Sequence, residues 1–327
     1  MIRRKFLTTG AIMGLGSGSF IKALAGPKAY NAGKKSITAR IGICTDLHQD
    51  IIYDAPRRIQ AFIDEMIVLK PDFIIQLGDF CTPKMENKII MDIWNKFEGP
   101  KYHVIGNHDT DCGFTHDDVV NFWGAKDKYY SFNQHGYHFI VLNGNEKGNG
   151  YAGYARTISE TQRNWLEKDI ADTNLPVIVF CHQPLDNDIG GIDQANWVRT
   201  IFDRANQTAG HTKVKLVISG HHHLDWCNVY NGVHYLQINS MSYQWMGDSF
   251  QHAHYSNDIE SAHPSIKYTA PYKDPIWAML TIYSDGTIEV KGKKTEFLSP
   301  SPKDLQSPKY HLGYTDVPYI SDRVLRV

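Results

Sequence analysis

Five cysteines in 327 residues cannot all pair, and no two stand in a C-x-x-C spacing. Neither a disulfide framework nor a structural zinc knuckle therefore holds this chain together. Charge of one sign is also lacking: 34 Lys and Arg face 35 Asp and Glu. There is no basic surplus for nucleic acid and no acidic surplus for a calcium-binding or solvating role. No uninterrupted apolar run reaches the ~20 residues that span a bilayer, and neither an internal repeat nor a linker divides the chain. What is present is the composition of a folded, enzyme-sized protein, with 42% hydrophobic and 21% charged residues. Sixteen histidines are a rich supply and direct attention to metal chemistry.

Residues 1–25 carry no acid, open with Arg3, Arg4 and Lys5, continue through a glycine-interrupted apolar stretch, and close on Ala23-Leu24-Ala25. This is the pattern of an export signal. The Arg3-Arg4 pair and the weak hydrophobicity that follows resemble a twin-arginine signal. We therefore expect cleavage after Ala25, a periplasmic or exported mature domain over 26–327, the twin-arginine machinery as partner of the precursor, and no stable membrane insertion.

Short β-branched apolar runs recur at 40–44, 73–77, 102–105, 138–142, 177–181, 215–219 and 233–238, and these read as buried strands. Helical patterns lie between them, at 55–70, 88–97, 161–171 (with Ser159 as N-cap) and 194–205. Alternation of strands and helices predicts an α/β fold. Residues 277–283 and 287–291, joined by Ser284-Asp285-Gly286, spell a C-terminal β-hairpin, followed by a Pro- and Ser-rich tail. The core is expected over about 40–239, a lid-like loop over 241–274, and the hairpin and tail over 276–327. Cys44, Cys81 and Cys181 sit at strand ends and read as small buried fillers.

Each strand end carries metal-ligand residue types: Asp46-Leu47-His48, then Gly78-Asp79, then Gly106-Asn107-His108-Asp109, then His182, then Gly220-His221-His222-His223. In α/β sheets ligands bind beyond the carboxyl ends of the strands, so these five ends can converge in one crevice. Asp46 and His48, two apart at an extended strand end, should point the same way, as should His221 and His223. Mixed nitrogen and oxygen donors suit Zn, Mn or Fe better than Mg or Ca.

That ordered set, D-x-H, GD, GNHD, H and GHxH, resembles the calcineurin-like metallophosphoesterase superfamily. The resemblance implies a four-layer α-β-β-α sandwich of two mixed sheets around two divalent ions. By motif it places Asp46, His48 and His223 on the first ion, Asn107, His182 and His221 on the second, and Asp79 on both. It further implies His108 as proton donor or transition-state contact, held by a neighbouring acid, for which Asp109 is the natural candidate. Thr82 stands where purple acid phosphatases carry a tyrosine ligand, which argues against that branch. A weaker resemblance, through 76–79, 102–109 and 129–142, is to manganese-dependent ADP-ribose/CDP-alcohol diphosphatases. Within the aromatic-rich 241–274 segment, Tyr243 and Trp245 are candidate platforms for a substrate ring, and His222 a candidate substrate contact.

Two cations about 3.5–4 Å apart can clamp a phosphoryl group and lower the pKa of a bridging water, supplying hydroxide for in-line attack. The expected activity is hydrolysis of a small phosphodiester, nucleotide pyrophosphate or phosphomonoester. A nuclease is the alternative within enzymes, disfavoured by the absent basic surplus, and a non-catalytic metal- or phosphate-binding protein is the alternative of another class. Histidine ligands must be neutral to bind a metal, so activity should fall below about pH 6, given a reference His pKa of ~6.5. A pH–rate profile checks this, and an optimum near pH 4 would contradict it.

Overall fold

The computed structural model describes residues 35–146, 153–187, 190–307 and 315–327. The export signal expected over 1–25 lies outside the described residues. Period-2 alternation in the strands decides which side chains enter which layer. In β1 (Ile37–Cys44) and β2 (Phe73–Gln76), Ile41, Ile43, Phe73 and Ile75 face one apolar cluster, while Cys44 and Ile74 face another. These strands continue parallel into β3 (Lys101–His103).

β4 (Tyr130–Gln134), β5 (Tyr137–Leu142), β6 (Val177–Cys181), β7 (Val214–Ser219), β8 (Trp226–Tyr230) and β9 (Val233–Gln237) make the second sheet, ordered β4-β5-β6-β7-β9-β8. β5, β6, β7 and β9 run parallel, with β4 and β8 antiparallel at the edges. Beyond it, β10 (Tyr243–Trp245) pairs with β11 (Thr269–Pro271) in a short ribbon. The expected hairpin forms from β12 (Ala278–Tyr283) and β13 (Thr287–Gly292), and β12 lies antiparallel along β1. With β14 (Arg323–Arg326), the first sheet reads β14-β13-β12-β1-β2-β3.

Both sheets are thus mixed. Their facing surfaces enclose one apolar cluster that takes Ile41, Phe73 and Leu280 from one side and Phe139, Phe180 and Leu236 from the other. Helices α1 (Ala55–Leu69) and α2 (Lys88–Trp94) cover the outer face of the first sheet. α4 (Glu160–Asp172) and α5 (Ala195–Ala209) cover the second, and the shorter α3 (His116–Trp123) and α6 (Asn257–Ala262) lie in connections. This is the expected four-layer α-β-β-α sandwich.

Local rules set the boundaries. The Ser159 hydroxyl accepts from the Gln162 N–H at 3.2 Å and starts α4, as its sequence predicts. α5 runs a turn beyond expectation and stops at Gly210 in the left-handed region. The segment expected as a lid-like loop carries the short elements β10, α6 and β11, with Tyr243 and Thr269 each 1% exposed. The last residues of the tail return to the sheet as β14. Ser321 and Arg323 hold that return by donating to Asp225.

No helix among the described residues is long and apolar enough to cross a membrane. Phe62 of α1 is fully buried between Trp94, stacked at 6.0 Å, and Trp277, edge-on at 5.7 Å. Phe62→Ala should therefore cost about 3–5 kcal/mol of unfolding free energy, read from a denaturant titration of the purified protein.

Candidate metal centre

All five ligand-bearing segments leave the carboxyl ends of β1, β2, β3, β6 and β7 at the same end of the sandwich. Their convergence is not achieved with extended backbone. Asp46 (φ 52°), His48 (φ 52°), Asp79 (φ 50°), His221 (φ 70°) and His223 (φ 52°) all sit in the left-handed region. The expectation that Asp46 and His48 project together from an extended strand end is corrected. They converge because the chain turns sharply at each, a conformation costing non-glycine residues about 1–3 kcal/mol apiece.

Backbone bonds hold these turns. Asp46 N–H donates to Gly78 C=O (3.0 Å), His48 N–H to Asp79 C=O (2.9 Å), and Gly220 N–H to His182 C=O (3.0 Å). Gly106 lies so close to Asp79 that a Cβ there would overlap both its carboxylate and its N–H.

Asp79 Oδ2 stands 3.1 Å from His182 Nε2 and 3.7 Å from His48 Nε2. Asp46 Oδ1 lies 3.3 Å from His223 Nε2 and 3.7 Å from His48 Nε2. Two sets of side chains result, Asp46-His48-His223 and Asp79-His182-His221, each with ligand atoms within 4.8 Å of one another, and His48, Asp79 and His108 form a third such group.

The protonation pattern tests whether cations fit. His182 Nδ1 donates to Leu77 C=O (2.7 Å) and His223 Nδ1 to Tyr243 C=O (2.8 Å), so in each neutral ring the Nε2 lone pair faces the cluster. Asp46 Oδ2 is occupied by Thr45 Oγ1 (2.5 Å) and His221 N–H (3.1 Å). Asp46 Oδ1, Asn107 Oδ1 and His182 Nε2 are buried with no hydrogen-bond partner. Buried acceptors aimed at one another cost free energy unless a cation lies among them.

Electrostatics agree. Burial raises the Asp46 carboxyl, but His223, His48 and His182 outweigh it and hold it well below the usual range. Asp79 is likewise lowered against burial by His182, His108 and His48. Burial would lower His182, yet the Asp79 and Asp46 carboxylates push it up to about 9. His48 and His221 stay low, chiefly through burial. Nitrogen and oxygen donors around two carboxylates fit divalent ions of the borderline class.

The remaining expected residues fall differently. His108 lines a cavity of about 660 Å³ beside these groups, but Asp109 does not hold it. Both Asp109 oxygens are taken by backbone N–H groups: Gly106 (2.7 Å), Asp79 (2.9 Å), Phe80 (2.7 Å) and Cys81 (3.1 Å). The acid on His108 is Asp111, whose Oδ2 accepts from Nδ1 at 2.8 Å. The chain kinks at Asp111 (ψ 162°) and Cys112 (φ 63°), folding that carboxylate back. An acid three residues beyond the histidine was the available signal.

Tyr154, 46 positions away, also reaches His108 Nδ1 with its hydroxyl (3.1 Å). Nothing in the sequence marked it. Asp50 and Lys84 pair at 3.1 Å on the cavity wall. Tyr243 is corrected as a platform: its ring is buried and packs on His48 (5.1 Å) and His223 (5.0 Å). Trp245 is 48% exposed at the cavity rim. His222 lines the cavity, its Nδ1 3.2 Å from Gln237 Oε1, and belongs to none of the three groups.

A two-sheet α/β sandwich with histidine, carboxylate and carboxamide donors clustered at its strand ends defines a metal-dependent phosphoesterase. Comparison with known proteins gives the particular family. Residues 39–225 match the calcineurin-like phosphoesterase model, and the chain belongs to that family. It is 26% identical over 277 residues to a 3′,5′-cyclic-nucleotide phosphodiesterase of Nostoc sp., covering 78% of this chain and 92% of that protein. A dimetal phosphatase from Danio rerio shares the fold at a TM-score of 0.56 and 13% identity, over 81% of this chain and 100% of the other. GAP50, the anchor in the inner membrane complex of Plasmodium, does so at a TM-score of 0.50 and 15% identity, over 85% and 91%.

Because Asp109 ties the ends of β2 and β3 together, Asp109→Ala should cost at least about 3 kcal/mol by orphaning buried N–H groups, and should lower metal content with it. Urea unfolding and elemental analysis check this; an unchanged midpoint with lost turnover would restore a direct role in the reaction.

Proposed function

We propose that this protein hydrolyses a small phosphodiester at a dinuclear centre, with Mn, Zn or Fe as the ions. The observation that carries the reading is Asp79, whose carboxylate stands between two ligand sets while Asp46 Oδ1, Asn107 Oδ1 and His182 Nε2 lie buried and unpartnered. Asp46, His48 and His223 would hold one ion, Asn107, His182 and His221 the other, and Asp79 both. Divalent ions in that position supply Lewis acidity toward phosphoryl oxygens and make water a usable nucleophile near neutrality.

The chain's own residues do the rest. His108 lines the cavity beside Asp79 and is oriented through Nδ1, which leaves Nε2 to hold or deliver a proton at the leaving-group oxygen. Burial of the ligand side chains excludes bulk water from all but the cavity side. Two observations favour a diester. Lys84, the sole Lys or Arg among the described lining residues, is paired with Asp50, so no further cation awaits the extra charge of a pyrophosphate or monoester. The Nostoc relative is itself named a cyclic-nucleotide phosphodiesterase. A small phosphorylated substrate is thus the proposed partner, and the Arg3-Arg4 segment supports export to the periplasm.

The test is turnover of bis-para-nitrophenyl phosphate and para-nitrophenyl phosphate by metal-stripped protein with Mn, Zn, Fe and Ni restored separately. Diester hydrolysis recovered by Mn, Zn or Fe is expected, and His108→Ala should keep its metals while losing roughly 10²- to 10⁴-fold in kcat. Monoester-only activity would move the substrate class. No turnover with two metals bound per chain would replace the enzyme by a metal- or phosphate-binding protein.

A further inference from the structure

The His108 side chain is a third exposed, so packing alone does not fix it. A solvent-facing imidazole has rotamer freedom to lose, and a misplacement of about 1 Å in a reacting group can cost ~10²-fold in rate. Two side chains outside the strand-end segments remove that freedom. Asp111 Oδ2 accepts from Nδ1 at 2.8 Å. The Tyr154 hydroxyl lies 3.1 Å from the same Nδ1 and donates toward the same Asp111 oxygen at 3.4 Å. The rings close the arrangement: Tyr154 packs on His108 at 4.6 Å, and His48 meets it at 5.2 Å. His108 is thereby held in one orientation, with Nδ1 committed and Nε2 the nitrogen left for the cavity.

Tyr154 is itself supported. Two residues on, Arg156 pairs with Asp193 at 3.2 Å, and its C=O accepts from Asp193 N–H. Thr157 bridges to Glu146, whose carboxylate accepts from Ser159 N–H at 2.6 Å. Tyr154 also lines the cavity beside His108.

We propose that Tyr154 and Asp111 are a positioning pair that holds His108 over the leaving-group oxygen, and that Tyr154 thereby determines which leaving groups this chain tolerates. The proposal rests on the phosphoesterase reading above, and its test separates the two. Methyl para-nitrophenyl phosphate and methyl phenyl phosphate differ in how much help the departing aryl oxide needs: nitrophenolate leaves readily, whereas phenolate depends on a well-placed donor. In metal-loaded protein, Tyr154→Phe and Asp111→Asn should lower kcat on the phenyl substrate about 10-fold more than on the nitrophenyl one, with KM little changed. In a His108→Ala background, Tyr154→Phe should add no further selectivity loss, because its effect passes through His108. Equal losses on both substrates, or additive losses in the double variant, would overturn the proposal.

A second measurement needs no turnover. The ¹⁵N resonances of the His108 ring, assigned by their absence in His108→Ala, should move at Nδ1 in both Asp111→Asn and Tyr154→Phe of the full-length protein. An unmoved resonance in either would sink the positioning pair. A wild-type protein that hydrolyses neither ester would instead remove the phosphoesterase reading, while the ring resonances still decide the contact.

Discussion

Two carboxylates buried against imidazoles set the terms for everything around them. Asp46 and Asp79 are 0% and 2% exposed, in surroundings where an uncompensated charge is expensive. Their oxygens lie 3.1–3.7 Å from the Nε2 atoms of His48, His182 and His223, and such a constellation is stable only with positive charge among them. The rest of the site follows from that demand. Left-handed turns at Asp46, His48, Asp79, His221 and His223 are tolerated because they aim the donors inward, and the parallel strands exist in this order because only their carboxyl ends bring five loops to one place.

The site was legible in the sequence to the extent that strand-end position determines convergence. Apolar runs ending in D-x-H, GD, GNHD, H and GHxH are local signals, and all seven ligand candidates meet within one cluster or, for Asn107, on its cavity wall. What local pattern could not supply was how each side chain is used. Asp109 follows His108 directly, but adjacent residues in a tight turn point apart. Its carboxylate therefore caps backbone N–H groups, while Asp111, three residues on, folds back to the ring. Tyr154 and His108 meet only through the tertiary fold, and no spacing encodes that. Tyr243 read as a free aromatic because its burial depends on the ribbon it forms with 269–271.

In the fold, buried strands and amphipathic helices were readable because burial on both faces leaves long apolar runs. Three of the edge strands were not. β4, β8 and β14 alternate weakly and are half-exposed, and their pairing is dictated by the neighbouring strand, not by their own composition. The ribbon of β10 and β11 carries the same lesson: three residues apiece become strands because the Tyr243 backbone and ring must sit against His48 and His223.

β1, which leads directly into the turn bearing Asp46 and His48, lies between β2 and β12. One neighbour thus comes from the next forty residues and the other from near the end of the chain. During synthesis the second sheet can assemble while β1 still has an unpaired flank. Only when 278–292 emerge does β12 cover it, with β13 beyond, and the last residues add β14 outermost. Non-local pairing of this kind slows folding and leaves an edge open for longer. A ribosome stalled short of residue 278 would therefore hold a nascent chain that already contains every candidate metal ligand yet lacks the strand that makes β1 interior.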